Sequence, residues 1–234
     1  MMGIELTWLG HGSWLITTEK HQIVLDPFLD DSPTATVKSA DIDAQFVLVS
    51  HGHFDHVADV ASIANRNDSV VIANFEIAEW FKNQHGVRQT IGMNLGGTIS
   101  LPFGRVKMTP AWHSSQLPDG SYGGNPGGFL LHLNDVRIYF ACDTALFGDM
   151  ELIGSVGLDL AVLPIGDVFT MGPEDSVQAI RLLKPRRVMP AHYGTWPPIE
   201  QDANKWADQV RSETDAEPVV LLVGQAFRLE PLQP

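Results

Sequence analysis

The segment SHGHFDH, Ser50–His56, places three histidines and an aspartate between His51 and His56, in a chain of 234 residues with nine histidines. Imidazole nitrogens and carboxylate oxygens are the donors that borderline divalent metals take. His51 and His53 are two residues apart and can turn toward one ion. Asp55 and His56 are adjacent and then point elsewhere, which suits a second ion. The competing reading is a polar strand-to-helix turn with incidental histidines. Four donors in so short a span, at the end of the apolar run QFVLV, weigh against it.

This cluster cannot fill two coordination shells alone. Three further donors follow apolar runs: His113 after VKMTPAW, Asp143 after VRIYFAC and His192 after RRVMPA. Taken singly, each is also an ordinary turn residue. His11, between two glycines in LGHGS, is either an additional site residue or a turn histidine. Asp26, in VLDPF, either accepts the free N–H of a ligand histidine or caps the turn before Pro27. Tyr193 either donates to a substrate or packs. Trp112 and Trp196 flank two donor positions and either shape a pocket or lie half-buried. His21, His85 and His132 fall in turns or on strand faces and carry no chemistry in this reading.

The elements that must position these groups are legible as short periodic runs. IELTWLG, SWLIT and QIVLD read as three strands with tight connections. QFVLVS is a continuous apolar run, as expected of a strand covered on both faces. VADVASIANR has helical spacing. SVVIAN is a further strand, and FEIAEWFKNQHG a helix with Asn74 as N-cap and Gly86 as its stop. From about Ile91 strands dominate: GTISL, VKMTPAW, GGFLLHL and VRIYFACD, with a hairpin turn at LND. LDLAVLPIG, helix PEDSVQAIRLLK, strand RRVMPAH, helix IEQDANKWADQVRSE and a last strand PVVLLVG complete the chain. Helices alternate with strands at both ends around a strand-rich middle, which predicts an α/β fold with mixed sheets and helices outside. No composition shift splits the chain, so one domain over 1–234 is expected. The glycine-rich segment SSQLPDGSYGGNPGG is either a mobile flap or, as favoured here, a surface loop with turn glycines.

The order H-x-H-x-D-H, then His, Asp and His, resembles the metallo-β-lactamase superfamily of dinuclear metal hydrolases. WLGHGSWLI, IVLDPFL, CDT and PAHYGTWPPI are similar to its small, single-domain branch of metal-dependent hydrolases, near the ascorbate-phosphate lactonase-like proteins. The resemblance implies a four-layer αβ/βα sandwich with the site at one edge. It implies that His51, His53 and His113 hold one metal, that Asp55, His56 and His192 hold the other, and that Asp143 bridges them. It also implies a metal-bound hydroxide that attacks a small or medium ester, lactone or phosphodiester, with Asp55 passing a proton to the leaving group. Zn²⁺ suits histidine-rich ligation best, and Mn²⁺ or Fe²⁺ fits the same cage. Where the family usually has glycine before the bridging aspartate, this chain has Cys142.

Composition narrows the class of function. The net charge of -13 repels phosphate backbones, which disfavours nucleic acid as a partner and leaves a small-molecule substrate. KPRRV is the only dense basic cluster, so the ribonuclease Z-like alternative lacks its expected basic arm. A di-iron redox enzyme on the same scaffold usually has glutamate in place of His53 and a flavin domain. A metal-dependent binding protein without turnover is the third alternative. No run is long enough for a membrane span, and no signal peptide is evident. The lone Cys142 excludes an internal disulfide and reads as a small buried hydrophobe rather than a reactive thiol. A cytoplasmic location follows as the expectation, with oligomeric state left open.

Overall fold

The computed structural model describes residues 3–230. Residues 1–2 and 231–234, which the expectation of one domain over 1–234 includes, lie outside them. Strands β1 (Ile4–Gly10), β2 (Ser13–Thr17), β3 (Gln22–Leu25) and β4 (Phe46–Leu48) lead into helices α1 (Phe54–Val57) and α2 (Val60–Asn67). Then come β5 (Val70–Asn74), α3 (Phe75–His85), β6 (Gln89–Met93), β7 (Thr98–Leu101), β8 (Gly104–Pro110), β9 (Gly127–Leu133) and β10 (Val136–Phe140). The chain continues through α4 (Met150–Gly154), β11 (Leu160–Pro164), α5 (Pro173–Leu183), β12 (Arg187–Ala191), α6 (Ala203–Glu213), β13 (Glu217–Pro218) and β14 (Ala226–Leu229).

Two seven-stranded sheets form, ordered β14-β1-β2-β3-β4-β5-β6 and β13-β12-β11-β10-β9-β8-β7. Each is mixed: β14 to β3 and β7 to β10 pair antiparallel, while β3 to β6 and β10 to β13 pair parallel. The side-chain period of two explains the layering. Phe46 and Leu48 of β4 face the opposite sheet, where Leu131, Ile138 and Val162 pack. Val47, between them, faces the helices with Ile63 and Phe81. In β11, Leu160 and Val162 face the inter-sheet core, and Ala161 and Leu163 pack with Val177 and Trp206. Strands covered on both faces need unbroken apolar runs, which is the pattern these segments show. The result is the αβ/βα sandwich. Among the described residues no helix is long and apolar enough to cross a membrane.

Several local expectations match the structure. The Asn74 side chain accepts from Ile77 N at 2.9 Å, and Gly86 stops α3 in the left-handed region. Asn134 turns the β9–β10 hairpin with φ 54°. Elsewhere the expected bounds shift, mostly under long-range contacts. The helix expected over 57–66 is two, because Asp59 leaves helical geometry and accepts Leu29 N and Asp30 N. The short first piece, α1, thereby carries Asp55 and His56. α6 begins at Ala203 rather than Ile199, since the Asp202 carboxylate caps Asn204 N and Lys205 N. The expected last strand PVVLLVG pairs only at its start. After Val219 N donates to Val188 O, the chain crosses to the other sheet, where Gly224 N donates to Trp8 O and β14 pairs with β1.

Asn74 also donates to the carbonyls of Gly123 and Asn125, which pins the glycine-rich loop to α3. Asn74→Ala removes a helix cap and strands two carbonyls, so it should lower unfolding free energy by about 2 kcal/mol in urea titrations.

Candidate metal centre

Six turns meet at one edge of the sandwich, each just beyond the C-terminal end of a strand. They deliver His11 after β1, Asp26 after β3, His51 to His56 after β4, His113 after β8, Asp143 after β10 and His192 after β12. Covered strands end where the sheet loses its neighbours, so these polar groups converge in a partly dry pocket.

One group of donors is His51, His53 and His113. His53 Nδ1 lies 2.9 Å from His51 Nε2 and 3.2 Å from His113 Nε2. A second group is Asp55, His56 and His192, joined by His11. Asp143 stands between the groups. Its Oδ2 is 3.7 Å from His113 Nε2 and 3.9 Å from His51 Nε2 on one side. On the other side it is 3.3 Å from His56 Nε2 and 3.0 Å from His192 Nε2. Asp55 Oδ2 is 3.9 Å from both His56 Nε2 and His192 Nε2.

Hydrogen bonds outside the cluster decide which nitrogen of each ring faces inward. Asp26 accepts from Ser50 N at 2.7 Å, from Ser50 Oγ at 2.5 Å and from His56 Nδ1 at 2.9 Å. The Ser50 hydroxyl gives its proton to Asp26 and so accepts from His51 Nδ1, 3.0 Å away. His51 Nε2 is thereby left as a lone pair aimed into the site, and His56, its Nδ1 committed to Asp26, turns its Nε2 the same way. His11 donates Nε2–H to Asp55 Oδ2 at 2.9 Å and accepts from Thr195 Oγ1 at 2.8 Å. Gly12 allows this closeness: a Cβ there would sit 2.9 Å from His56 Cε1, an atom Asp26 holds in place.

The electrostatics suit a cation. Burial lowers the pKa of His51, His53 and His113, keeping those rings neutral. Burial, with the neighbouring His192, pushes His11 down to about 4. Burial opposes charge on His56, but Asp143, Asp55 and Asp26 outweigh it and hold its pKa well above the usual imidazole range. Burial likewise opposes ionisation of Asp143, and His192 and His56 outweigh it, so the carboxylate persists well below its usual range. Among the described residues, His56 Nε2, His192 Nδ1 and Nε2, and Asp143 Oδ1 are buried without a hydrogen-bond partner. Ring lone pairs that face one another at about 3 Å around a carboxylate form a set that divalent cations satisfy together.

All seven donors expected from the sequence are therefore brought together, with His11 and Asp26 beside them. Trp196 lies 5.0 Å, centroid to centroid, from His11. Two alternatives that the sequence left open are resolved. Tyr193 stacks on Trp8 at 5.1 Å and packs against both large cores, and burial raises its pKa to about 12, so it is a packing residue. Trp112 is 68% exposed and does not line the cleft; its backbone is anchored instead, N donating to Thr144 Oγ1 and O accepting from Ala145 N. The glycine-rich loop is a tied surface loop: Ser115 Oγ bonds Gly52 N and Gly123 O, Trp80 Nε1 bonds Asp119, and Leu117 is buried. Ser50 and Thr195 went unnoticed in the sequence, although both adjoin donor motifs and hydroxyls there were the available signal.

Residues 21–193 match the family model described as the beta-lactamase superfamily domain. A UPF0173 metal-dependent hydrolase from Thermus thermophilus is 47% identical over 97% of this chain and 100% of its own length. One from Thermococcus kodakarensis is 42% identical with the same coverage. A metallo hydrolase from the hyperthermophilic archaeon Ignicoccus hospitalis has the same structure with a TM-score of 0.89, at 32% identity over 98% of this chain and 99% of that one. The chain belongs to the metallo-β-lactamase superfamily and is one of its small metal-dependent hydrolases.

Asp26→Asn introduces N–H groups where only acceptors fit, so metal affinity should fall about 10- to 100-fold in chelator competition, with the fold intact by circular dichroism. Gly12→Ala should reduce affinity in the same assay by displacing His56.

Proposed function

We propose that this hydrolase works with two divalent ions and a small uncharged or weakly charged substrate. His51 Nε2, His53 Nδ1 and His113 Nε2 would hold one ion. Asp55, His56 and His192 would hold the other, with Asp143 Oδ2 shared. The supporting observation is that one buried carboxylate oxygen lies 3.0–3.9 Å from ring nitrogens of both donor groups. Zn²⁺ is the ion such histidine-rich ligation favours, with Mn²⁺ or Fe²⁺ suited to the same set. When bound, a pair of divalent ions supplies Lewis acidity, which lowers the pKa of water toward about 7 and polarises the bond to be cleaved.

The chain's own groups do the rest. Asp55 borders both the open cleft and His11, and we assign it transfer of a proton to the departing group. Burial works against its charge, yet His56 and the hydrogen bond from His11 hold its pKa well below the usual carboxylate range. His11 is the positioning partner: neutral and fixed by Thr195, it keeps Asp55 Oδ2 from rotating. No observation favours the ribonuclease, di-iron redox or non-catalytic alternatives. The position a redox site would give to glutamate is His53, and the basic KPRRV segment leads into the start of β12, at the opposite end from His192, with none of its residues lining the cleft.

Metal-loaded protein should bind two ions per chain by elemental analysis, and Asp143→Ala one or none. Asp55→Ala should slow turnover of an activated ester at least about 100-fold. Fewer than one ion per chain under every loading condition would falsify the two-ion reading.

A further inference from the structure

We infer that the substrate is a neutral carboxylic ester or lactone whose acyl part is apolar, rather than a phosphodiester or an anionic ester. This rests on the hydrolase reading above and adds the substrate class.

A cleft of about 760 Å³ opens over the donors, bordered at its floor by Asp55, His113, Asp143 and His192. That volume accommodates a molecule of drug-like size. Its walls are Phe54, Leu117, Pro118, Phe169, Trp196 and Pro198. Among the described residues, no lysine or arginine lines it. The charged groups that face it are two carboxylates, on a chain of net charge -13. An anionic substituent placed there would find no counter-charge beyond the donor cluster, and would lose hydration against aromatic walls. An apolar acyl group gains from the same surface.

The aromatic wall is braced as a site would be. Phe54 stands 57% exposed between two proposed ligands in sequence. Its ring packs 5.8 Å from Phe28 and 6.0 Å from Trp196, and Phe28 is itself buried against Trp196 and His11. Phe169, 55% exposed, follows Asp167 and Val168, which take φ of 61° and 52°. A left-handed conformation is costly for a β-branched valine. The fold holds it there with Phe169 N donating back to Asp167 O and Asp167 N donating to Met171 O. A strained turn that keeps a phenylalanine at the mouth of the catalytic cleft, instead of burying it, is the second observation. Ser114 and Gln116 supply the few polar contacts that orient an ester carbonyl.

In the reaction water adds across the acyl C–O bond. The acyl carbon gains the hydroxyl, the C–O bond to the leaving group breaks, and the leaving oxygen takes the remaining proton through Asp55. A carboxylic acid and an alcohol result, with no oxidant or reductant involved.

The test has two arms. Metal-loaded protein is assayed with p-nitrophenyl hexanoate, p-nitrophenyl acetate, p-nitrophenyl hemisuccinate and bis-p-nitrophenyl phosphate. Metal-free protein is titrated with the uncleaved analogue N-phenylhexanamide, read by NMR. The hexanoate should exceed the hemisuccinate and the phosphodiester at least about ten-fold in kcat/KM. Phe54→Ala and Phe169→Ala should each cut the hexanoate-to-acetate ratio about ten-fold and weaken the anilide to match. Phe169→Lys should move preference toward the hemisuccinate. Preference for either anionic substrate, or ratios indifferent to these variants, overturns the inference. Anilide binding that depends on Phe54 and Phe169, with no ester turned over, keeps the apolar cleft but overturns the ester assignment, and with none of the four substrates turned over it defeats the two-ion reading on which that assignment rests. Self-association through Phe169 with no anilide bound also overturns it.

Discussion

The Asp26 carboxylate is buried beneath the donor cluster and accepts from three donors. Every neighbour must therefore donate, and that single requirement propagates outward. His56 spends its Nδ1–H on Asp26 and presents Nε2. Ser50 spends its hydroxyl proton there and so takes the Nδ1–H of His51, which presents Nε2 in turn. One carboxylate in β3's terminal turn thus sets the tautomer of a histidine in each donor group, and ties the segment before α1 to the strand beside it.

The geometry is held against a backbone preference. His11, Asp26, Cys142 and His192 all take positive φ, between 45° and 54°, each just past a strand end. Such conformations cost a non-glycine residue about 1–2 kcal/mol. They let the chain leave the sheet abruptly and aim a side chain back across its edge. This accounts for the glycine usual at position 142 in the family the sequence resembles, and shows what the cysteine accepts in its place. The Cys142 thiol is pushed well above its usual range by burial, with Asp26 and Asp143 adding to it, so it is inert packing beside the site.

The donor set was legible because most of it is local. Four donors lie within His51–His56, and the other three follow apolar runs whose strand character is written in their residues. The sandwich was legible for the same reason, since covered strands cannot hide their hydrophobic continuity. The losses were mostly long-range, the local Asp202 cap of α6 apart. The break between α1 and α2 depends on Leu29 and Asp30, some thirty positions from Asp59. The early end of β13 depends on Trp8, at the far end of the chain. Tyr193 and Trp112 were ambiguous because sequence adjacency to a ligand says nothing of which way a ring turns. The cleft is assembled from five separate segments, so no one stretch announces it.

The pairing of β14 with β1 has a consequence for the order of events in the cell. β1 ends in the Gly10–His11–Gly12 turn that holds Asp55, and it waits for an edge partner, β14, from the other end of the described residues. His11 cannot be braced from that side while the C-terminal strand is still inside the exit tunnel. Contacts this distant along the chain are the slow ones to form. Completion of the site therefore waits until β14 has left the tunnel, and a nascent polypeptide truncated before Ala226 carries the donor residues without that brace.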